Sequence, residues 1–322
     1  MPTLVPWRIV SELGAPPITG FPLPPSARSI EAVEPAVWQR AHSWTRLIGE
    51  AAMQRDDVWQ AARRPVSEAP LMGAGFVRAP QELETPFPMA EGFLFGFCVF
   101  AAPEQRAQPG FLPPLRVGEA LFPLLVLPAK YAPRMPPGGP ADPTDGWGTA
   151  QGTAACWARP KAAVPNPMGL SGDGILTAGH VAMTVSAVAG MTPGNVYAVA
   201  GFAIDAAVMG PAPAPATAAP LAIGPSVVGA SVDVYTQGGG FAPATVLLDF
   251  QPSGYFGKNC PHRAIIDHGF APGDSGSLAR DSRVGDGIGI YIGDVHPAGG
   301  PTQGACQLLE QVTTEFGIDL FL

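Results

Sequence analysis

The chain has 322 residues, of which 47% are hydrophobic and only 14% charged, a balance that buries a sizeable core and excludes a disordered tail. Forty glycines and 39 prolines, together close to a quarter of the sequence, argue against a helical bundle and for short strands joined by turns. The net charge of −8 divides as −2 over residues 1–150 and −6 over residues 151–322; with no cluster of Lys or Arg, this excludes nucleic acid as a main partner.

Residues 1–28 are rich in Pro and Gly and read as an extended arm, with one short strand at Pro6–Val10. No basic start followed by an apolar run opens the sequence, so a secretory signal is not expected. From Pro35, the residues Val37, Trp38, Ala41, Trp44, Ile48, Ala51, Trp59 and Ala62 recur at three- and four-residue steps. That spacing predicts one long helix with a buried stripe, ended by Pro65. The apolar runs Gly92–Phe100 and Leu121–Leu127 read as strands. No apolar stretch much exceeds about ten residues, too short for a bilayer core of ~30 Å, and a soluble cytoplasmic protein is expected.

Residues 132–149 form a Pro/Gly/Asp-rich linker, and the domain boundary is placed there. Short segments then follow at Gly152–Ala158, Gly174–Ala178, Tyr197–Val208, Ser231–Thr236, Ala244–Phe250, Arg263–Asp267 and Gly287–Ile292. Turn signals separate them, as in an antiparallel barrel or sandwich. Gly210–Pro220 reads as a surface loop, and Leu308–Phe316 as a helix stopped by Gly317. Cys98, Cys156, Cys260 and Cys306 lie far apart, with no pair at metal-ligand spacing. They read as free core thiols, and neither metal nor cofactor is expected.

Two strings carry chemistry. Ile175-Leu176-Thr177-Ala178-Gly179-His180 is an apolar strand ending in a histidine; Pro272-Gly273-Asp274-Ser275-Gly276-Ser277 places a serine between glycines. Between them, Asp205 interrupts an otherwise apolar strand, where a buried carboxylate demands a partner. A serine hydroxyl becomes a useful nucleophile when a base takes its proton. A neutral imidazole can be that base, and a carboxylate on its other nitrogen fixes the tautomer. Glycines allow backbone N–H groups to converge on the developing oxyanion, and those of Gly273 and Ser275 are the natural donors. Asp173 and Asp233 compete with Asp205 for the carboxylate role.

These residues, in the order His180, Asp205, Ser275, resemble the chymotrypsin-like serine peptidases, and the carboxyl half resembles their compact bacterial members. The resemblance covers residues 150–322 and leaves residues 1–149 unmatched. It implies a mainly β fold with two six-stranded barrels and the site in the cleft between them; ahead of it, the helix and strands read from residues 1–149 form an α+β N-terminal domain. The same resemblance places Gly269 at the floor of the substrate pocket and the strand Gly287–Gly293, with Tyr291 and Gly293, along its wall. Val181 follows the histidine where many members carry cysteine, and no activation site is visible near residue 150, so Asp274 needs a partner other than a new N-terminus.

The expected activity is a serine endopeptidase acting on a protein or peptide, with residues 1–149 controlling or targeting it, by way of a regulatory partner. The other readings are an inactive protease-fold binding module, and a serine esterase or self-cleaving maturation protease.

Overall fold

The computed structural model describes residues 35–62, 71–80, 83–85, 87, 93–117, 120–132, 148–149, 152–162, 169–184, 196–199, 204–250 and 262–322. The expected arm, the strand at Pro6–Val10, Cys260 and nearly all of the linker lie outside them.

The predicted helix forms, but as two pieces, α1 (Pro35–Met53) and α2 (Asp56–Ala62). The break has a local cause. At the end of α1 the bonding tightens to three-residue steps, Gln54 N–H to Ala51 C=O and Arg55 N–H to Ala52 C=O. The Trp59 indole N–H then caps Met53 C=O at 2.9 Å. Arg55 also leaves the helix line to hold Pro114 C=O (3.0 Å), which lies on the strands beneath.

Those strands are β1 (Leu71–Arg78), β2 (Phe93–Ala101), β3 (Gly110–Val117) and β4 (Ala120–Ala132). Successive residues point to opposite faces of a strand, and here both faces are apolar. Met72, Ala74 and Phe76 of β1, Phe95, Phe97 and Val99 of β2, and Phe122, Leu124 and Val126 of β4 pack under α1 and α2. Leu71, Leu94, Cys98, Phe100, Leu125 and Leu127 face the other way, into a core shared with the rest of the chain.

After the linker come β5 (Gly148–Thr149), β6 (Gly152–Thr153), β7 (Cys156–Pro160), β8 (Gly174–Thr177), the short helix α3 (Gly179–Thr184), β9 (Val196–Val199) and β10 (Ala207–Met209). The remainder is β11 (Ser231–Thr236), β12 (Gly240–Phe250), β13 (Arg263–Ile266), β14 (Leu278–Asp281), β15 (Gly287–Pro297), β16 (Gln303–Leu308), helix α4 (Leu309–Phe316) and β17 (Ile318–Phe321). Helix α4 stops where expected, with Gly317 in the left-handed region at φ 62°.

Two sheets matter. The smaller has the order β17-β7-β8-β10-β9, so strand β17 joins the sheet beside the histidine. The larger runs β11-β14-β15-β16-β13-β12, and β11 pairs back onto β12. That pairing closes a six-stranded antiparallel barrel. The fold is mainly β, as expected; among the described residues the half expected as the first six-stranded barrel is a five-stranded sheet with no pairing between its edge strands.

Residues 71–132 do not form the separate unit expected of 1–149. Strand β12 outruns the barrel, and its Leu248 and Asp249 pair with Gly75 and Ala74 of β1. Strand β15 outruns it too, and Asp294–Pro297 pair with Ala129–Ala132 of β4. With β1 on β2 and β2 parallel to β4, a second ring closes through β12, β13, β16 and β15. One apolar core extends from Leu71 through Ile292, Val295 and Leu309 to Leu320. The boundary at 132–149 therefore corresponds to no gap in packing.

Among the described residues Cys98, Cys156 and Cys306 are buried free thiols, whose ionisation burial pushes up. No described helix is long and apolar enough to cross a membrane.

Candidate active site

The expected strand into the histidine ends at Thr177, and His180 is the second residue of α3. Its backbone N–H donates to Asp205 Oδ1 at 2.9 Å, and its ring Nδ1 lies 2.8 Å from Asp205 Oδ2. One carboxylate thus fixes both the backbone and the ring of the histidine. Gly179 makes the approach possible: a Cβ there would sit 3.0 Å from Asp205 Oδ1 and 3.1 Å from Ala206 N.

Asp205 was expected inside a strand; it lies two residues before the start of β10. The reason is in its hydrogen bonds. Its N–H leaves the ladder and donates to Gln307 Oε1 at 3.2 Å. Burial alone would push the Asp205 carboxyl up, but the bonds and charge of His180, with the positive charge of Arg263, outweigh it and hold the group below its usual range. The competing aspartates lie elsewhere. Asp173 makes a two-pronged pair with Arg159 at 2.9 and 2.8 Å, and Asp233 sits on β11 in register with Arg280.

Ser275 belongs to the loop between β13 and β14 and is fully buried. Its hydroxyl donates to Ile292 C=O at 3.4 Å. The loop turns on two glycines that no other residue replaces readily. Gly273 has φ 101°, and Gly276 has φ 96° with no room for a Cβ, which would lie 1.9 Å from the Thr153 carbonyl oxygen. Asp274 has the partner the sequence lacked: Gln237 N–H (2.7 Å) and Ala271 N–H (2.9 Å) both donate to its carboxylate. Burial still pushes that carboxyl up, and nearby Asp294 adds to the shift. The Asp274 C=O accepts from Ser277 N–H, so the Ser275 N–H on the same trans peptide is directed the opposite way, as an oxyanion donor would be.

Thr153 joins the two halves. Its N–H donates to Ser275 C=O at 2.7 Å and its hydroxyl to Gly273 C=O at 2.8 Å. Its own C=O accepts from Thr177 Oγ1 at 2.8 Å, three residues before His180. Gly152, beside it, would place a Cβ 2.3 Å from the Val181 side chain and 3.1 Å from Ser275 C=O. Val181, the residue after the histidine, and the Ser275 carbonyl therefore flank one glycine, where the serine loop meets the segment carrying the His180–Asp205 pair.

The pocket residues divide. A Cβ on Gly269 would lie 2.1 Å from Asp294 Oδ1, so this position must stay small to accommodate a fully buried carboxylate. Tyr291 is buried rather than displayed. Its hydroxyl donates to Asp294 Oδ1 and accepts from Phe270 N–H (3.0 Å), and its ring stands edge-on to Phe270 at 5.2 Å. Its backbone is also engaged, with Ser277 C=O and Gly276 N–H, so Tyr291 builds the wall without offering a surface. Gly293 lies in β15 opposite Ala305, with φ 146°. Thr153, Gln237, Gln307 and Gln311 were missed in the sequence. The visible signal was a glutamine at 307 in an apolar segment.

No family model matches this chain, and no curated protein matches it. Solved structures do. The chain resembles bacterial chymotrypsin-like serine proteases. Thermobifida fusca Protease A is 16% identical, over 53% of this chain and 91% of that one, with a TM-score of 0.38. Cellulomonas bogoriensis chymotrypsin is 16% identical, over 46% and 85%, with a TM-score of 0.34. The Rv3671c protease from M. tuberculosis, in its active form, is 21% identical over 58% and 91%, with a TM-score of 0.32.

Proposed function

We propose that this protein is a serine endopeptidase working through His180, Asp205 and Ser275. The observation that carries the reading is the pair of hydrogen bonds between His180 and Asp205, through backbone N–H and ring Nδ1, together with the glycine-framed serine loop. With Nδ1–H donated to the carboxylate, Nε2 is left as the basic nitrogen. It takes the Ser275 hydroxyl proton as Oγ bonds to the scissile carbonyl carbon, and Asp205 stabilises the imidazolium that forms. The carbonyl oxygen, now an oxyanion, is met by the N–H groups of Gly273 and Ser275. His180 returns the proton to the leaving amine nitrogen as the C–N bond breaks, giving an acyl-enzyme, and water repeats the sequence to release the acid. The substrate on this reading is a protein or peptide. Residues 71–132 supply strands that pair with β12 and β15 of the six-stranded barrel, which supports a bracing role for them before any regulatory one.

The test is labelling with a fluorophosphonate probe alongside hydrolysis of a peptide library, in wild type and Ser275→Ala. Expected is labelling at Ser275 and cleavage by wild type alone, with both variants melting within a few degrees of each other. Retention of a tenth of the activity in Ser275→Ala would remove the serine from its role. Labelling without peptide cleavage would favour the esterase reading, and neither would favour the binding module.

A further inference from the structure

Asp205 is held from two sides. Its carboxylate faces His180 beside the smaller sheet, while its backbone N–H reaches Gln307 Oε1 on β16 of the six-stranded barrel. Gln307 is fully buried, and its other atoms are committed. Nε2 donates to His262 C=O at 3.1 Å and to Gln311 Oε1 at 2.9 Å. Gln311, on α4, also accepts from His262 N–H at 2.8 Å. The network permits one orientation of the Gln307 amide. Turning it over would set NH2 against the Asp205 N–H and the oxygen against His262 C=O, donor to donor and acceptor to acceptor.

We infer that Gln307, oriented by Gln311, is a positioning residue for the Asp205–His180 pair, setting it from the half of the molecule that carries Ser275. The inference rests on the protease reading of that site. An apolar side chain would fill the same volume in a buried strand; a glutamine there supplies one acceptor, and the residue receiving it orients the imidazole. Because β16 also pairs with β15, which carries the Ile292 carbonyl beside Ser275 Oγ, the same strand references both halves of the site. Catalytic geometry is sensitive to such referencing, a shift of about 1 Å costing on the order of a hundredfold in rate.

The experiment uses the full chain and two variants, Gln307→Met and Gln311→Met, with three readouts: peptide hydrolysis, the His180 Nδ1–H proton resonance, and exchange of the Asp205 amide hydrogen. Gln307→Met should lower kcat by roughly tenfold to a hundredfold with KM nearly unchanged. It should also shift or broaden the His180 resonance, move the acid limb of the pH–rate profile and speed Asp205 exchange. Gln311→Met frees the Gln307 amide without touching Asp205 and should give the same changes, smaller. A purely structural role would lower the melting temperature and leave resonance, pH limb and exchange where they were in every folded variant; that result overturns the inference. Should Gln307→Met fail to fold, Gln311→Met decides between the same two outcomes. Should the wild type neither label nor hydrolyse, the protease reading falls, and the resonance and exchange still decide whether Gln307 sets the pair.

Discussion

The histidine and the serine stand on very different supports. His180 and Asp205 flank a five-stranded sheet whose strands are three to five residues long, the histidine just after β8 and the aspartate just before β10. Ser275 hangs from a closed six-stranded barrel in which β12 and β15 reach eleven residues each and are gripped again by β1 and β4. Short ladders with few cross-strand bonds open more readily than long closed ones. The smaller half is compensated by bonds to the serine-bearing half: Thr153 to the serine loop and Gln307 to Asp205. The comparison teaches that the active geometry is held at the junction, by residues neither half supplies alone.

The largest way to break this comparison is to remove the strands that grip the barrel. A chain beginning at Gly146 loses β1–β4 and exposes apolar side chains of Ile292, Val295, Leu309 and Val312 that share their core. Exposed patches of that kind drive aggregation. The expected result is an insoluble or non-cooperatively folded product without fluorophosphonate labelling, read by gel filtration and thermal melting. A soluble product with a wild-type melt would show that the second ring is an attachment and not a support.

Asp205→Asn tests the weaker half directly. An amide can accept one of the two His180 bonds but must present its NH2 to the other. If it meets Nδ1, that nitrogen becomes the acceptor and the proton sits on Nε2, where a base is needed. Activity should fall by about 10⁴-fold, the scale seen when a triad aspartate is neutralised this way. Asp173→Asn should remain close to wild type in rate, since its partner is Arg159. Equal losses in both variants would mean that stability and not the tautomer is being measured.

What the sequence revealed and what it hid follow from the same physics. The serine loop was legible because its glycines, φ 101° and 96°, are demanded by local geometry and written as local motifs. Asp205 was legible because an isolated carboxylate among apolar residues needs a partner. Strands β14 and β16 were not called: Leu278–Asp281 is four residues long and Gln303–Leu308 carries two glutamines, so neither shows a strand period. The second ring was invisible for another reason. Strands β1, β2 and β4 are buried on both faces, and such runs report burial without naming the partner that buries them. Pairing between residues more than 150 positions apart, as for β4 and β15, leaves no local trace at all.

The smallest expected effect separates the two halves by pH. His262 lies in the barrel, its backbone joined to Gln307, Gln311 and Leu308, and burial together with the charge of Arg263 lowers its imidazole to about 4. An unfolded histidine takes up its proton near 6.5, so between these values the unfolded chain binds more protons than the folded one. Stability from this group is complete above 6.5 and is lost as pH falls toward 4, by about 2 kcal/mol after allowance for its partial exposure. Asp205 has its carboxyl held below the unfolded value, so its contribution survives that window and is lost only as pH falls further, through the folded value. His262→Gln removes the titration and keeps the backbone bonds. Urea unfolding at pH 7 and pH 4.5 should therefore show a smaller acid loss in the variant than in wild type, by about 1–2 kcal/mol, with amide signals of the barrel recovering and those of the His180 sheet unchanged. An identical acid loss in both proteins would place the pH-sensitive contact outside the barrel and remove the distinction between the two supports at mildly acid pH.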